Sequence, residues 1–434
     1  MSENQKPLIV GLDIGTTKIC AIVGRENDHG KIDILGMGRV NSDGVSRGTV
    51  ANIGRTANSI REAIAIASQA SNIEIKTAYV GIAGQNIGSF RHMMQIVRPN
   101  NREEISQVDI DRLEHDVKMI LPDPTETIIE IIPQDYSIDQ ETNISDPIGR
   151  TGSMLTGFYH VITSKINSIE NIDRAVRQAG IESHKLILEP IASGMSVLNQ
   201  EEKESGVALI DIGGGTTDLA IYKDGIIKHT AIIPLGGKKI TDDIAEACQL
   251  IYRIAEQLKV QHGYAVHTDT DENAIISMYG NNNRQPKEIS QSNLAKVIQA
   301  RMEEILYLID VEIRCTGLKK KLHNGIVITG GGSQLKSITG LAELVLGLDA
   351  RLGSPQQNLN NLGTTVDNLR NPMYATGIGL VMRGIEDSKF ETQMSNTAST
   401  SKTKKTTIDS LIGKAKKLGK GILRDGMDID DYSN

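Results

Sequence analysis

The sequence predicts an α/β fold in which two similar domains face one another across a cleft, and three observations carry that prediction. The first is Gly206–Tyr222, GVALIDIGGGTTDLAIY: an apolar run, an aspartate, three glycines, two threonines, a second aspartate and another apolar run. Val207–Ile212 is too short for a helix and rich in β-branched residues, so it reads as a buried strand, with Leu219–Tyr222 as its return. The second observation is a copy near the N-terminus. There Val10-Gly11-Leu12-Asp13-Ile14-Gly15-Thr16-Thr17-Lys18 leads into Ile19-Cys20-Ala21-Ile22, with the two aspartates 198 positions apart (211 − 13). The third is that each hairpin is followed by a third apolar strand, Lys31–Leu35 after the first and Ile226–Pro234 after the second.

Such a hairpin has the chemistry of a phosphate grip. Gly213, Gly214 and Gly215 let the backbone approach a ligand with no Cβ in the way. The turn offers a row of N–H groups, with the hydroxyls of Thr216 and Thr217, to an anion. The first hairpin supplies Gly15, Thr16 and Thr17, and Lys18 adds a positive charge for a β-phosphate. Asp13 and Asp211, at the two strand ends, are placed to hold Mg2+ largely through water. One loop of this kind is as readily an ordinary Gly-rich hairpin; the pair gives it meaning. The pair resembles the superfamily of actin, the sugar kinases and the heat-shock chaperone ATPases, and that resemblance implies duplicated ribonuclease-H-like domains around the cleft.

In chain order, strands Leu8–Asp13, Lys18–Gly24 and Lys31–Leu35 precede an amphipathic helix at about Asn52–Ala70, and Thr77–Ala83 returns as a strand. Residues 85–165 keep a separate rhythm: strand Ile87–Val97, helix Arg102–Ile120, strands Glu126–Ile138 and Met154–Thr163. This reads as an inserted α+β subdomain for partner contact. Helix Ser168–Ala179, strand Lys185–Leu188 and a helix from Glu189 resume the core. After the second hairpin, Gly236 and Gly237 precede a helix beginning near Thr241, with Asp242 and Asp243 in its first turn. Residues 239–322 are mainly helical around a polar, loop-like 269–285, ending in a long helix Ser292–Lys321. Gly325–Thr329 enters Gly330-Gly331-Gly332-Ser333, whose backbone is placed to lie against an adenosine. Ala342–Leu346 and Pro372–Met382 follow as helices. The division is therefore 1–84 with 166–205, crossed back by 372–384, as one core domain, and 206–238 with 323–371 as the other.

Glu256 and Lys259, three apart on one helix face, suit a ribose and an adenine edge, and equally suit a surface ion pair. Glu189 and Gln134 are the candidates to orient water at a γ-phosphate, and only Glu189 stands at a core junction. No GxxxxGK[ST] segment occurs, so a P-loop is not supported. With no Trp, 3% aromatic residues and a net charge of −7, base stacking and general polyanion binding are disfavoured, and no nucleic-acid partner is expected. Cys20, Cys248 and Cys315 fit no zinc or disulfide spacing and read as reduced core thiols.

After Gly384 the composition shifts: 385–407 is a Ser/Thr/Lys-rich linker expected to be disordered. In 408–424, Ile408, Leu411, Ile412, Leu418, Ile422 and Leu423 share one helical arc of about 140°. Lys414, Lys416, Lys417 and Lys420 fall outside it. Eight Lys/Arg against Asp409 give Ser401–Arg424 a charge of +7, which suits anionic lipid. Residues 425–434 form an acidic tail.

Within the superfamily, the order of parts resembles the bacterial FtsA family over about residues 6–385. The matching stretches are VGLDIGTTK (10–18), AYVGIAG (78–84), IPQDYSID (132–139), DPIGRTG (146–152), 207–218, AEQLKVQHG (255–263), IVITGGGSQL (326–335) and PMYATGIGL (372–380). IPQDYSID and DPIGRTG carry the most weight, since they lie in the insert. The resemblance implies an ATP-binding cell-division protein that polymerises as actin-like filaments on the cytoplasmic face of the inner membrane at the division site. It implies that 239–322 binds the C-terminal tail of FtsZ with Arg301 in that groove, and that the insert meets other division proteins. The residues themselves are compatible with a site that binds ATP and turns it over slowly or not at all, so no enzyme is expected. A pilus-assembly platform protein and a small-molecule kinase of the same fold are the alternatives.

Overall fold

The structure is a computed structural model that describes residues 6–120, 123–278, 287–355, 359–360 and 369–391. Two five-stranded sheets share one plan. In the first, Ile9–Ile14, Lys18–Glu26 and Ile32–Asn41 form an antiparallel meander, and Thr77–Ile82 then Glu182–Leu188 add in parallel on the other side. In the second, Val207–Ile212, Thr217–Lys223 and Ile226–Ile233 form the meander, and Ile326–Thr329 then Ala350–Leu352 add in parallel. Ile9–Ile14 and Val207–Ile212 are the central strands and are buried at every position, so they read as unbroken apolar runs.

Helices close the faces of these sheets. Ile53–Ser71 begins at Asn52, whose side chain accepts the Arg55 N–H, and ends at Asn72 in the left-handed conformation. Its buried Ile60, Ala63, Ile64 and Ala67 face the first sheet's core. Gln291–Cys315 supplies Ile298, Met302, Ile305 and Ile309 to the second core.

A third sheet, in the order Ile87–Val97, Met154–Lys165, Glu126–Ile138, Glu141–Ile144, carries helix Gln107–Lys118. Ile162, Ile129 and Ile132 pack with Val207, Leu209 and Ile227 of the second sheet. Ser89 Oγ donates to the Thr230 carbonyl at 3.0 Å, and His160 meets the Thr230 hydroxyl at 2.9 Å. Burial, then the neighbouring His229, pushes His160 down to about 4, so its ring is neutral at neutral pH.

Several boundaries differ from expectation, each for a tertiary reason. The helix expected near Thr241 starts at Gly237, because the N–H groups of Gly237 and Lys238 donate to the carbonyls of Gly213 and Gly214 at 3.0 and 2.8 Å. Asp242 and Asp243 consequently lie in its second turn, not its first. The helix expected to reach Lys321 stops at Cys315, since Gly317 takes a φ of +69° and turns the chain into a 3-10 segment, Lys319–Lys321. The polar stretch 269–285 is not all loop: Ile275–Met278 pairs with Lys287–Ser290, with Ile276 and Ile289 buried. Residues 375–391 are helical, so 385–391 are not the start of a linker; no Gly or Pro lies within 385–391 to stop the helix.

Of the three thiols only Cys20 is a core group, pushed up to about 12 by burial. Cys248 is half-buried and Cys315 is exposed. Among the described residues no helix is long and apolar enough to cross a membrane. The expected linker from 392, the amphipathic helix 408–424 and the acidic tail lie outside the described residues.

Candidate functional site

The two Gly-Thr hairpins meet. Gly15 donates its N–H to the Lys18 carbonyl at 3.0 Å, and Gly213 donates to Thr216 at 2.9 Å, so each aspartate is followed two residues later by the same turn. A Cβ on Gly214 would collide with Thr17, and one on Gly215 with Thr16. The turns thus face one another at contact distance, and only glycine permits it.

Four carboxyl groups line the floor beneath them. Asp13 and Asp211 are 3% and 6% exposed, and Asp218, opposite Asp211 in the strand register, is 2% exposed. Glu189 is the first residue of helix Glu189–Val197 and borders Gly81. The Lys18 ammonium sits on Asp13 Oδ2. Burial opposes its charge, but Asp13 and its neighbours leave its pKa raised. Among the described residues Asp211 makes no ion pair: Oδ2 accepts from Ser193 at 2.6 Å and from Thr376 at 3.4 Å.

Burial and then its carboxylate neighbours push Glu189 well above the ordinary range, and burial with Asp211 does the same to Asp218. Asp211 is raised too, by burial, with Ser193 opposing. Thr216 donates to Asp218 Oδ2 at 3.3 Å, whereas Oδ1 is buried with no partner. Asp218 was missed as a site residue. Its signal was present, as the one charge at the head of the otherwise apolar return strand. An unpaired buried acceptor beside three carboxyls is the mark of a group awaiting a donor or a cation.

On the other side of the second hairpin, Lys259 Nζ donates to the Gly237 carbonyl at 2.7 Å, to Thr241 Oγ1 at 2.8 Å and to Glu256 Oε2 at 2.8 Å. Burial lowers its pKa, with Glu256 opposing. The two form the i,i+3 ion pair, with Lys259 turned inward onto Gly237 and Glu256 partly exposed. Gly330, at φ +83°, lies against Asp211 Oδ1, and the buried Ser333 hydroxyl donates to the Gly330 carbonyl at 2.8 Å, bending Gly331–Gln334 into a 3-10 turn. Contacts link the expected lining pair by pair: Thr16 and Thr17 with Gly215 and Gly214, Gly213 and Gly214 with Gly237 and Lys238, Lys259 with Gly237, Glu256 with Thr241, and Gly330 with Asp211. Gln134 is elsewhere, its amide donated to the Ile227 carbonyl at 2.6 Å. The lining fits a magnesium nucleotide: turn N–H groups and hydroxyls for phosphates, and facing carboxylates for a hydrated cation.

Arg301 stands apart from this lining. It borders a cavity of about 510 Å³ with Asp243, Glu246, Val297, Ala300 and Glu304. Its Nη2 donates to Asp243 at 3.0 Å, and Glu304 takes Nη1. Lys239 reaches Asp243 as well, at 3.2 Å. Burial works against the Asp243 carboxylate, but Arg301 and Lys239 hold it below the ordinary range. Arg301 is a pinned charge in a groove wall.

A sequence profile described as cell division protein FtsA matches residues 208–379, and one described as the SHS2 domain inserted in FtsA matches 84–163. The cell division protein FtsA of Pseudomonas aeruginosa is 37% identical over 389 residues, covering 89% of this chain and 92% of that protein. Its counterpart in Escherichia coli K12 is 33% identical over 393 residues, with 89% and 92% covered. Among solved structures, the PilM-PilN type IV pilus biogenesis complex superposes with a TM-score of 0.62 at 16% identity, covering 87% of this chain and 98% of that one. MreB5 of Spiroplasma citri bound to ADP superposes at 0.52 and 16%, covering 90% and 98%. At such identity these two structures speak to the fold alone.

Proposed function

The chain belongs to the FtsA family of cell division proteins and has an actin-like fold, and from that premise we propose that it is a nucleotide-gated membrane tether. In this reading ATP with Mg2+ occupies the cleft, the closed protomers polymerise on the cytoplasmic face of the inner membrane at the division site, and each protomer holds the C-terminal tail of an FtsZ subunit. The observation that carries it is the contact of the two hairpins, Thr16-Thr17 against Gly214-Gly215. A duplicated grip of this kind encloses phosphates on both sides, and its closure changes the relation of the two sheets.

The residues divide the work. Turn N–H groups and Thr16, Thr17, Thr216 and Thr217 bind phosphate oxygens, and Lys18 exchanges its bond to Asp13 for one to phosphate. Asp13 and Asp211 orient the water shell of the cation. Lys259 and Glu256 hold the nucleoside end against Gly236-Gly237, with Gly330–Ser333 opposite. Glu189, with its raised pKa, suits a hydrogen bond to water more than rapid proton abstraction, which accords with slow turnover and a binding role over an enzymatic one. The pilus-platform alternative shares the fold, but the relatives at 33–37% identity place the chain in the cell-division family instead.

The groove beside Arg301 is the tail site in this account. Arg301→Glu reverses the charge of a pinned wall residue and is expected to weaken binding of a peptide of the FtsZ C-terminal tail by about tenfold or more, ~1.4 kcal/mol. Titration of the full chain with the peptide measures it. Equal affinity of variant and wild type would put the tail elsewhere.

A further inference from the structure

We infer that Ser193 and Thr376 are positioning residues for Asp211: they fix one of its carboxylate oxygens at the crossing of two helices and so aim the other into the cleft. The inference rests on the reading of the cleft as a site for ATP and Mg2+, and it assigns a task to two residues outside the glycine-rich lining.

Helix Glu189–Val197 follows the last strand of the first sheet, and Glu189 and Ser193 are one turn apart on it. Thr376 lies in the first turn of the helical run 375–391. The two helices cross so closely that a Cβ on Gly379 would collide with the Ala192 carbonyl, and Ser196 Oγ ties them with a 2.7 Å bond to the Ala375 carbonyl. That crossing brings the Ser193 and Thr376 hydroxyls to 3.0 Å from one another, and both lie on Asp211 Oδ2. Ser193 is fully buried and Thr376 is 7% exposed.

The arrangement differs from that at Asp13, which is neutralised by Lys18. Asp211 is held by neutral hydroxyls, which fix the plane of its carboxylate without cancelling its charge. Oδ1 then lies along Gly330, whose missing Cβ leaves it room. An acidic group meant to take a cation gains from such orientation, since hydrogen-bonding partners behind a ligand typically set its affinity by about 10–100-fold. The bond also spans the two halves of the fold, from the helix after the first sheet to the central strand of the second, at the base about which the cleft would close.

The test compares ATP affinity in Mg2+ and in EDTA, by calorimetry on the full chain. Ser193→Ala is expected to reduce the Mg2+-dependent gain in affinity about tenfold while leaving the EDTA affinity within about twofold. Thr376→Val is expected to reduce the gain as well, and Thr376→Ser, which keeps the hydroxyl, to restore it. Thermal melting of the unliganded variants separates misfolding from misplacement. If wild type shows the gain and Ser193→Ala retains it, the positioning role is wrong. If Thr376→Ser loses as much as Thr376→Val, the methyl packing and not the hydroxyl matters, and the inference again fails. A wild type that binds no ATP in either condition overturns the reading of the cleft itself.

Discussion

Asp211→Asn is expected to abolish ATP binding in Mg2+ while leaving the unliganded protein at least as heat-stable as the wild type. The two effects have one cause. Asp211 is held by hydroxyls where Asp13 is paired with Lys18, so the change removes the charge on which a hydrated Mg2+ would depend and should lower affinity by on the order of 100-fold or more. The same charge is costly to the empty protein. Burial raises the Asp211 pKa from its ordinary 3.8, and Asp218 and Glu189 are raised beside it.

A carboxyl whose folded pKa lies above its unfolded value contributes most at acid pH, and that contribution is lost as pH rises through the folded value. The melting temperature of the variant relative to wild type should therefore rise as pH increases from the ordinary carboxylate value of 3.8 through the raised folded value. Asn keeps the size of Asp, so no cavity confuses the comparison. Retained ATP affinity would contradict the cleft assignment. A variant that loses ATP but melts well below wild type at every pH would show Asp211 to be a structural residue first.

A chain ending at Gly384 is expected to lose nearly all its co-sedimentation with anionic vesicles. The segment 401–424 carries +7 in a protein of net −7, and its apolar residues share one helical arc. Each Lys or Arg close to an anionic surface is worth about 1 kcal/mol, and the contribution is screened within a Debye length. Wild-type pelleting should accordingly fall as salt is raised and as the anionic lipid fraction is reduced. Gly413, Gly419 and Gly421 would each cost such a helix about 1 kcal/mol, so one copy is expected to bind modestly and an assembled row to bind through avidity. Deleting the acidic 425–434 should strengthen binding. Equal pelleting of the full and shortened chains would remove the membrane from the account.

The hairpins were legible in the sequence because their chemistry is local. Aspartate, glycine and threonine fall within one turn of chain, and the copy at Asp13 repeats them. What supports the hairpins was not legible, because it comes from far away. Ser193 stands 18 residues before Asp211 and Thr376 stands 165 after it, and neither belongs to a motif. Glu256 and Lys259 form the ion pair their spacing allows, and the bond from Lys259 to the Gly237 carbonyl depends on where the neighbouring helix starts, which spacing does not show. That start was itself misplaced by four residues, since the Gly213 and Gly214 carbonyls that nucleate it lie in another element. Arg301 was read as a groove residue by resemblance, and the structure adds Asp243 and Glu304 as the groups that pin it. Periodicity, for its part, ran the long helix on to Lys321, because Lys319–Lys321 look helical and a single Gly317 looked tolerable.

The central claim is that both hairpins close on one nucleotide. Hydrogen–deuterium exchange of the full chain, with and without ATP and Mg2+, tests it most directly. Slowed exchange is expected at 13–18 and 211–217 together, with weaker protection at 236–237 and 330–333. Protection of one hairpin alone, or of neither while ATP is bound, would contradict it.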